Sequence, residues 1–387
     1  MLKGTWNYPS HIEAGSNSLD SCVEHCMALG IRRPMVVCDP GLKDFDFIET
    51  LVQSLKGSEL DACLFSQIQA NPNGDNVSAG IAQVKQNRCD GVIGIGGGSS
   101  LDAAKAIALA AFQSRELWDF EDVGNNWKRV QEDKVLPCIA IPTTAGTGSE
   151  VGRASVITNQ ERQVKTIIFH PLMLPKVVIL DPLLSVGLPP KLTAATGMDA
   201  LSHSLEALCS PSYHPMAEAI ALEGIRMVAD YLPRAFSNGQ DIDARMQMLV
   251  ASSMGATAFQ KGLGAMHALA HSLGALHNAH HGMLNAILMP YVLVANKSQI
   301  QEKMARLARQ LDLSDQSFDG VLTWILELRK SLSIPHALSE IGIDGTDAER
   351  IAQMSVNDPS AGGNPILFSA EQYQQLYMNA VNGELIP

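Results

Sequence analysis

Two short patterns place metal-ligating side chains at helical spacing. In "TGMDALSHSLEAL", Asp199 and His203 stand four residues apart. On a helix they share one face, a turn apart, and their tips can converge on one ion. A hydrogen bond between the two is the plainer alternative. The segment "GLGAMHALAHSLGALHNAHHGMLNA" repeats the spacing in His267 and His271 and adds His277, His280 and His281, five of the chain's eleven histidines. No cysteine accompanies either pattern, which excludes a cysteine-rich structural zinc site. Imidazole and carboxylate ligands that leave room for a substrate oxygen suit Fe(II), Zn(II) or a similar divalent ion. From spacing alone, His267 pairs with His271 as ligands.

A second kind of chemistry is written in glycine and hydroxyl residues. "GIGGGSSLDAAKAIALA" follows an expected strand and opens an expected helix. Gly96, Gly97 and Gly98 let the backbone come close to a ligand, Ser99 offers a hydroxyl, and the helix turns its positive end toward the loop. The spacing is not the usual GxGxxG, and a glycine-rich turn without a ligand is the bland alternative. A second loop, "PTTAGTGSEVG", sets Thr143, Thr144, Thr147 and Ser149 after another expected strand. Two such loops at neighbouring strand ends describe a crevice of dinucleotide size. Asp39 closes the run "MVVCD". A carboxylate there accepts from ribose hydroxyls and repels a 2′-phosphate, favouring NAD over NADP. Its alternative role is a residue of an Asp-Pro-Gly turn.

These loops need strands and helices to hold them. "PMVVCDPG", "GVIGIGGGS", "LPCIAIPTT" and "VVILDP" read as buried strands, and "SLDSCVEHCMALG", "NVSAGIAQVKQNRC" and "SLDAAKAIALAAF" carry apolar stripes near a 3.6 period. Their alternation predicts a doubly wound, mostly parallel α/β sheet. Beyond Pro189-Pro190 the texture becomes helical almost throughout, as in "PMAEAIALEGIRMVADYL". The expected organisation is a Rossmann-like α/β domain over 1–186 and an all-helical domain over 187–387. A chain of 387 residues, 46% hydrophobic, can fill two such cores.

Composition excludes several roles. A net charge of −12 argues against unspecific binding to nucleic acid or anionic membrane. The start, "MLKGTWNYPSHIEAG", has no apolar core of signal-peptide length, and no run is long enough to span a membrane. Seven scattered cysteines without a CxxC pair fit a reducing compartment, so a cytoplasmic protein is expected. Cys22 and Cys26 flank His25 at helical spacing, a weak hint of a metal site against the bland reading of buried thiols.

Taken together, the chain resembles the iron-containing (group III) alcohol dehydrogenase family over essentially its full length. "GIGGGSSLDAAK", "PTTAGTGSEV", "LPPKLTAATGMDALSHSLEA", "GLGAMHALAH", "HHGMLNAILMPYV" and "DPSAGGNP" occur in the family's order. The resemblance implies the fold shared with dehydroquinate synthase, a nucleotide-binding first domain and a metal-binding second. It implies metal ligation by Asp199, His203, His267 and His281. It makes His271 a proton-relay residue beside the nicotinamide, so that the pairing by spacing is abandoned. Cofactor contacts carried over are Asp39, Asn71, Gly97, Gly98, Ser99, Thr143, Thr144, Ser149 and Lys165, with Asp102 in addition. The implied cofactors are NAD and Fe2+, with Zn2+ or another divalent ion as the alternative metal. The implied reaction interconverts an alcohol and its aldehyde or ketone by hydride transfer, the ion acidifying the alcohol or polarising the carbonyl. A homodimer or larger homo-oligomer is expected.

Departures from the family pattern bear on substrate. After "SEV" the chain carries Gly152-Arg153-Ala154, and Ala258 stands where an aromatic is frequent, followed by Phe259-Gln260-Lys261. A roomier pocket with a cation near it would admit a hydroxy acid, unless Arg153 is engaged elsewhere. A specialised hydroxy-acid or semialdehyde reductase, or a transhydrogenase, are the alternatives within the superfamily. A metal-dependent hydrolase leaves the glycine loops unexplained, and a non-catalytic NAD-binding protein leaves the ligand set unexplained. His277 and His280 are expected to stand outside the ligand set.

Overall fold

The computed structural model of the chain describes residues 10–386. The stretch expected to lack a signal peptide has its first nine residues outside that range. The described residues form two compact units: 10–144 with 148–187, and 145–147 with 188–386.

The α/β unit runs β1 (His11–Ala14), α1 (Cys22–Ala28), β2 (Pro34–Val37), α2 (Asp46–Gly57), β3 (Cys63–Phe65), α3 (Gly74–Gln86), β4 (Gly91–Gly96), α4 (Gly98–Ala110), β5 (Cys138–Pro142), β6 (Ala154–Asn159), β7 (Val164–Phe169) and β8 (Val177–Leu180). Six strands form a parallel sheet in the order β1-β8-β5-β4-β2-β3. Because side chains alternate along a strand, Met35 and Val37 join one core while Val36 joins the other. Both faces of the sheet are thus covered, as a parallel sheet requires. The chain steps one way from β2 to β3 and then returns to place β4 on the other side of β2. This reversal puts the carboxyl ends of β2 and β4 at the switch point, where open α/β sheets bind ligands.

The antiparallel hairpin β6–β7 stands apart from this sheet and was not expected from the strand–helix alternation. Its strands bury alternate residues, but Ser155, Asn159 and Thr166 among the buried ones are polar, so "ASVITN" and "VKTIIF" carry no apolar period of two. β3 has only three residues, too few to display a period.

The second unit is helical: α5 (Pro190–Cys209), α6 (Pro215–Ser237), α7 (Ile242–Ala258), α8 (Ala265–His277), α9 (His281–Gln310), α10 (Phe318–Ser331), α11 (Ala348–Val356) and α12 (Ala370–Asn382). α5 is its axis, buried at every residue from Thr193 to Cys209. A helix enclosed on all sides needs small residues wherever a neighbour crosses closely. A Cβ on Gly282 of α9 would stand 2.4 Å from the Ala195 carbonyl oxygen of α5. The missing side chain lets α9 begin against α5, one turn from Asp199. Among the described residues no helix is long and apolar enough to cross a membrane.

Candidate metal centre and nucleotide loops

In the helical unit, α5 contributes Asp199 and His203, α8 contributes His267, and His281 is the first residue of α9. One donor atom from each lies within 4.8 Å of all the others. The His203 and His267 rings stack at 4.8 Å, and the His267 and His281 rings lie 5.3 Å apart. His271 is not in this group. Its ring stacks on His281 at 5.4 Å, and its Nδ1 meets Asp358 Oδ2 at 3.0 Å. An ionised carboxylate only accepts, so His271 carries its proton on Nδ1 and leaves Nε2 free to take another. Burial opposes charge on Asp358, but the His271 ring and the bonds from Ser360 hold its carboxyl below the usual range.

Three supporting residues were not anticipated. Glu206, one turn beyond His203, receives His267 Nδ1 at 2.6 Å and the backbone N–H groups of Gly264 and Met266 at 2.8 Å each. It fixes the His267 tautomer, so that Nε2 keeps its lone pair for an ion. Asn285 of α9 donates from Nδ2 to Asp199 Oδ1 at 2.8 Å and lies 3.2 and 3.1 Å from Nε2 of His267 and His281. Asp358 is the third. Glu206 had a signal, its i,i+3 spacing from His203; Asp358 is 87 residues from its partner and had none.

The donor set suits a divalent ion. One carboxamide has two hydrogens and faces three acceptors, so one lone pair of the set is left without a proton. Burial pushes His203 down to about 4, keeping its imidazole neutral and its lone pair available. Burial also works against the charge on Asp199, yet His281, His203, His267 and the Asn285 amide hold that carboxyl well below the ordinary range. For His267 burial acts downward, and Glu206 outweighs it and raises the ring. Imidazole nitrogens around an ionised carboxylate are the donors that iron(II) or zinc(II) takes. A second group, His11, Glu13 and His25, meets the same distance limit on the α/β unit. It is half-buried to exposed; Cys22 and Cys26 lie fully buried and take no part.

In the α/β unit the glycine loop follows β4. Gly96 takes φ 143°, a value that suits glycine, and Gly97 caps α4 in an extended conformation. Gly98 and Ser99 form the first turn of that helix. Asp39, just past β2, accepts from the Ser100 hydroxyl at 3.3 Å and from the Gly41 N–H at 3.0 Å. It therefore serves the turn and also sits beside the glycine loop. The Ser99 hydroxyl donates to the Ala70 carbonyl, which places Asn71 beside the start of α4. Thr158 N–H donates to the Pro72 carbonyl at 2.8 Å, and Thr158 pairs with Lys165 across the hairpin. Thr143 N–H donates to the Gly96 carbonyl at 3.0 Å, joining the two loops, and a Cβ on Gly97 would lie 3.5 Å from the Thr144 hydroxyl.

Asp102 acts as a brace inside this assembly. It receives the Ser149 hydroxyl and, at 2.9 Å, the Val156 N–H, and pairs with Lys105 at 3.3 Å. Lys105, 2% exposed, also donates to the carbonyls of Ser149 and Ala154. Ala145–Thr147 group with the helical unit. There a Cβ on Gly146 would come within 2.8 Å of the Thr196 carbonyl.

A glycine-looped parallel sheet and an Asp/His donor set in one chain match a known family. The profile of iron-containing alcohol dehydrogenase matches residues 9–182, and that of the Fe-containing alcohol dehydrogenase family, C-terminal, matches 193–381. The chain belongs to the iron-containing alcohol dehydrogenase family. A 4-hydroxybutyrate dehydrogenase of Cupriavidus necator is 36% identical, with 95% of this chain and 97% of that protein covered. A 1,3-propanediol dehydrogenase of Klebsiella pneumoniae is 33% identical, with 95% and 96% covered. The crystal structure of a 1,3-propanediol oxidoreductase superposes with a TM-score of 0.93 at 33% identity, covering 97% of this chain and all of that one. The protein is an alcohol dehydrogenase with a metal site of the iron-containing type.

Two cations expected near the dehydrogenase's substrate are engaged elsewhere. Arg153 lies over the Phe169 ring at 5.7 Å, with Asp122 acting on its charge. Lys261 is enclosed. It donates to the carbonyls of Ala207, Leu208 and Ser210 at 3.0, 3.1 and 2.6 Å and pairs with Glu218 at 3.1 Å. It thus satisfies the end of α5, whose last carbonyls have no helical partner. Burial pushes its ammonium down to about 8. Phe259, the residue after Ala258, sets its ring edge-on to His203 at 5.1 Å. His280 accepts from Met283 N–H as the cap of α9, and His277 ends α8.

Proposed function

We propose that this dehydrogenase interconverts small, uncharged primary alcohols and their aldehydes with NAD(H). The observation that carries the proposal is the convergence of Asp199, His203, His267 and His281 beside the His271–Asp358 pair. These four residues would hold the iron. When bound, the ion supplies the positive charge that acidifies an alcohol hydroxyl or polarises a carbonyl. Glu206 keeps His267 in the ligating tautomer, and Asp358 keeps His271 ready to take a proton at Nε2. Asp39, Asn71, Gly97, Gly98, Ser99, Thr143, Thr144 and Lys165 would carry the dinucleotide. Ser149 and Asp102 would hold the loops in register. Asp39 favours NAD, because a 2′-phosphate there would meet a carboxylate.

The engagement of Arg153 and Lys261 supports an uncharged substrate over a hydroxy acid, since a desolvated carboxylate needs a partner. Seven scattered cysteines without a CxxC pair and the family's character support a cytoplasmic homo-oligomer; light scattering measures its size. Reduction of NAD by the iron-loaded protein, followed by absorbance with ethanol, 1-butanol, 1,3-propanediol and 4-hydroxybutyrate, tests the activity. The alkanols and the diol are expected to exceed 4-hydroxybutyrate in kcat/KM by about tenfold or more. A preference for 4-hydroxybutyrate overturns the substrate class, and no reduction with any of the four overturns the whole proposal. His271→Ala is expected to lower turnover about a hundredfold with metal content unchanged. Loss of the metal in that variant would make His271 a ligand.

A further inference from the structure

Six of the seven cysteines are buried, and Cys63 alone is partly open. The thiols also form two close pairs. Cys22 and Cys26 share a face of α1 and are both 0% exposed. Cys63 and Cys89 hold their sulfurs 3.6 Å apart, with Cys89 2% exposed. Neither residue belongs to the metal centre or to the nucleotide loops. We propose that Cys63 and Cys89 are a reactive dithiol that exchanges with low-molecular-weight disulfides and closes an intrachain disulfide.

The roles follow from position. Cys63 opens β3, the edge strand of the sheet, where a small molecule can reach it. Cys89 lies inside, between α3 and β4, out of reach of anything but its neighbour. The Gln83 amide of α3 bonds the Leu64 carbonyl at 2.8 Å and stands 3.8 Å from Cys63 Sγ, so it donates to the sulfur from a fixed position. The Cys89 thiol and this amide outweigh burial and hold Cys63 below the ordinary thiol range, while Cys89 is pushed well above it. The more exposed sulfur is therefore also the better populated thiolate, which is the attacking species.

The exchange balances in two steps. The Cys63 thiolate attacks one sulfur of RSSR, forming Cys63–S–SR and releasing RS⁻, which takes a proton from solvent. The Cys89 thiol loses its proton and attacks the Cys63 sulfur, the mixed S–S bond breaks, and a second RSH leaves. The protein dithiol is oxidised by two electrons and RSSR is reduced to two RSH. The sulfurs must approach by about 1.5 Å to reach bonding distance. The bond would join the two ends of the segment that carries Ala70, Asn71, the Asn73 cap and α3.

Oxidised glutathione added to the metal-loaded holoenzyme, followed by alkylation and peptide mass mapping, tests this. Wild type is expected to lose two of its seven thiols and to yield a Cys63–Cys89 cross-linked peptide, with Cys22 and Cys26 still alkylated. Cys89→Ser is expected to stop at a glutathione adduct on Cys63, and Cys63→Ser to leave Cys89 free. Wild type that stops at the Cys63 adduct, or stays fully reduced, overturns the proposal. So does a Cys22–Cys26 bond that forms first. The wild-type map decides the question even if a variant folds poorly, because unfolding exposes all seven thiols together. The readout is independent of alcohol oxidation, so its failure would leave the assigned activity untouched.

Discussion

The metal centre and the nucleotide loops are built by opposite means. The first is made of side chains: four donors from three helices, each buried or half-buried, with Glu206 bonded to His267 and Asn285 to Asp199. The second starts from backbone: glycines allow close approach at the turn, hydroxyls and Asp39 stand around it, and a carboxylate–ammonium brace holds the loops together. A side-chain site fails at one atom, because each donor is irreplaceable. A backbone site fails through its scaffold, because the groups that meet the ligand cannot be mutated away. Substitutions in the two regions should therefore differ in kind.

The largest effect is expected at the donor set. Asp199→Ala removes its carboxylate, and metal content is expected to fall about tenfold or more, with turnover down roughly a thousandfold. Metal analysis and steady-state kinetics on the same preparation measure both. Turnover within tenfold of wild type would mean that these four residues do not form the working metal centre. Stability should change little, because the side chain's main partner, Asn285, can turn to other acceptors.

A graded version lies one layer out. Glu206→Gln replaces an acceptor of three N–H groups by an amide that brings two hydrogens of its own. The His267 tautomer is no longer fixed, and metal affinity is expected to fall by about 10- to 100-fold. Competition with a chelator reads this directly, and the KM for NAD should stay near wild type. An unchanged affinity would show that α8 packing alone orients His267.

Legibility followed the same division. The convergence of Asp199 with His203 and the glycine run that opens α4 were open to reading, because their residue types and spacing stand out locally. The identical spacing of His267 and His271 does not predict their outcome. A helix face brings the rings near each other, but Asp358, 87 residues away, turns His271 onto its own partner. Lys261 is a similar case: a cation beside a candidate pocket reads as substrate-facing until the unpaired carbonyls at the end of α5 are located. The α/β alternation and the helical second half were open to periodicity, while the β6–β7 hairpin was hidden by departure from that alternation. Periodicity reports which residues are buried, not which distant groups complete them.

On the nucleotide side the scaffold should yield before the chemistry does. Asp102→Asn leaves the Lys105 ammonium, 2% exposed, with its backbone carbonyls but without the carboxylate it pairs with at 3.3 Å. Removing one partner of a buried pair costs about 3 kcal/mol, so a lower denaturation midpoint is expected for the α/β unit. Metal content should be unchanged, and the KM for NAD should rise only about threefold at temperatures where the unit stays folded. A hundredfold rise in KM with no loss of stability would reassign Asp102 from brace to cofactor contact, and would erase the contrast between the two regions on this point.

The smallest effect is expected at Arg153. A guanidinium over Phe169 and near Asp122 is a structural cation, and its charge serves that corner of the α/β unit. Arg153→Met keeps the stem and removes the charge. The half-buried Asp122 then loses its counter-charge, and its carboxyl, already raised by burial, should rise further. The ratio of kcat/KM for 4-hydroxybutyrate to that for 1-butanol should move by less than about threefold, since a charge held elsewhere discriminates little between substrates. Were the guanidinium to leave Phe169 and meet a substrate carboxylate, the ratio would fall by a factor of ten or more, with 1-butanol unaffected. That asymmetry separates the two positions of the side chain, because lost packing would lower both substrates alike.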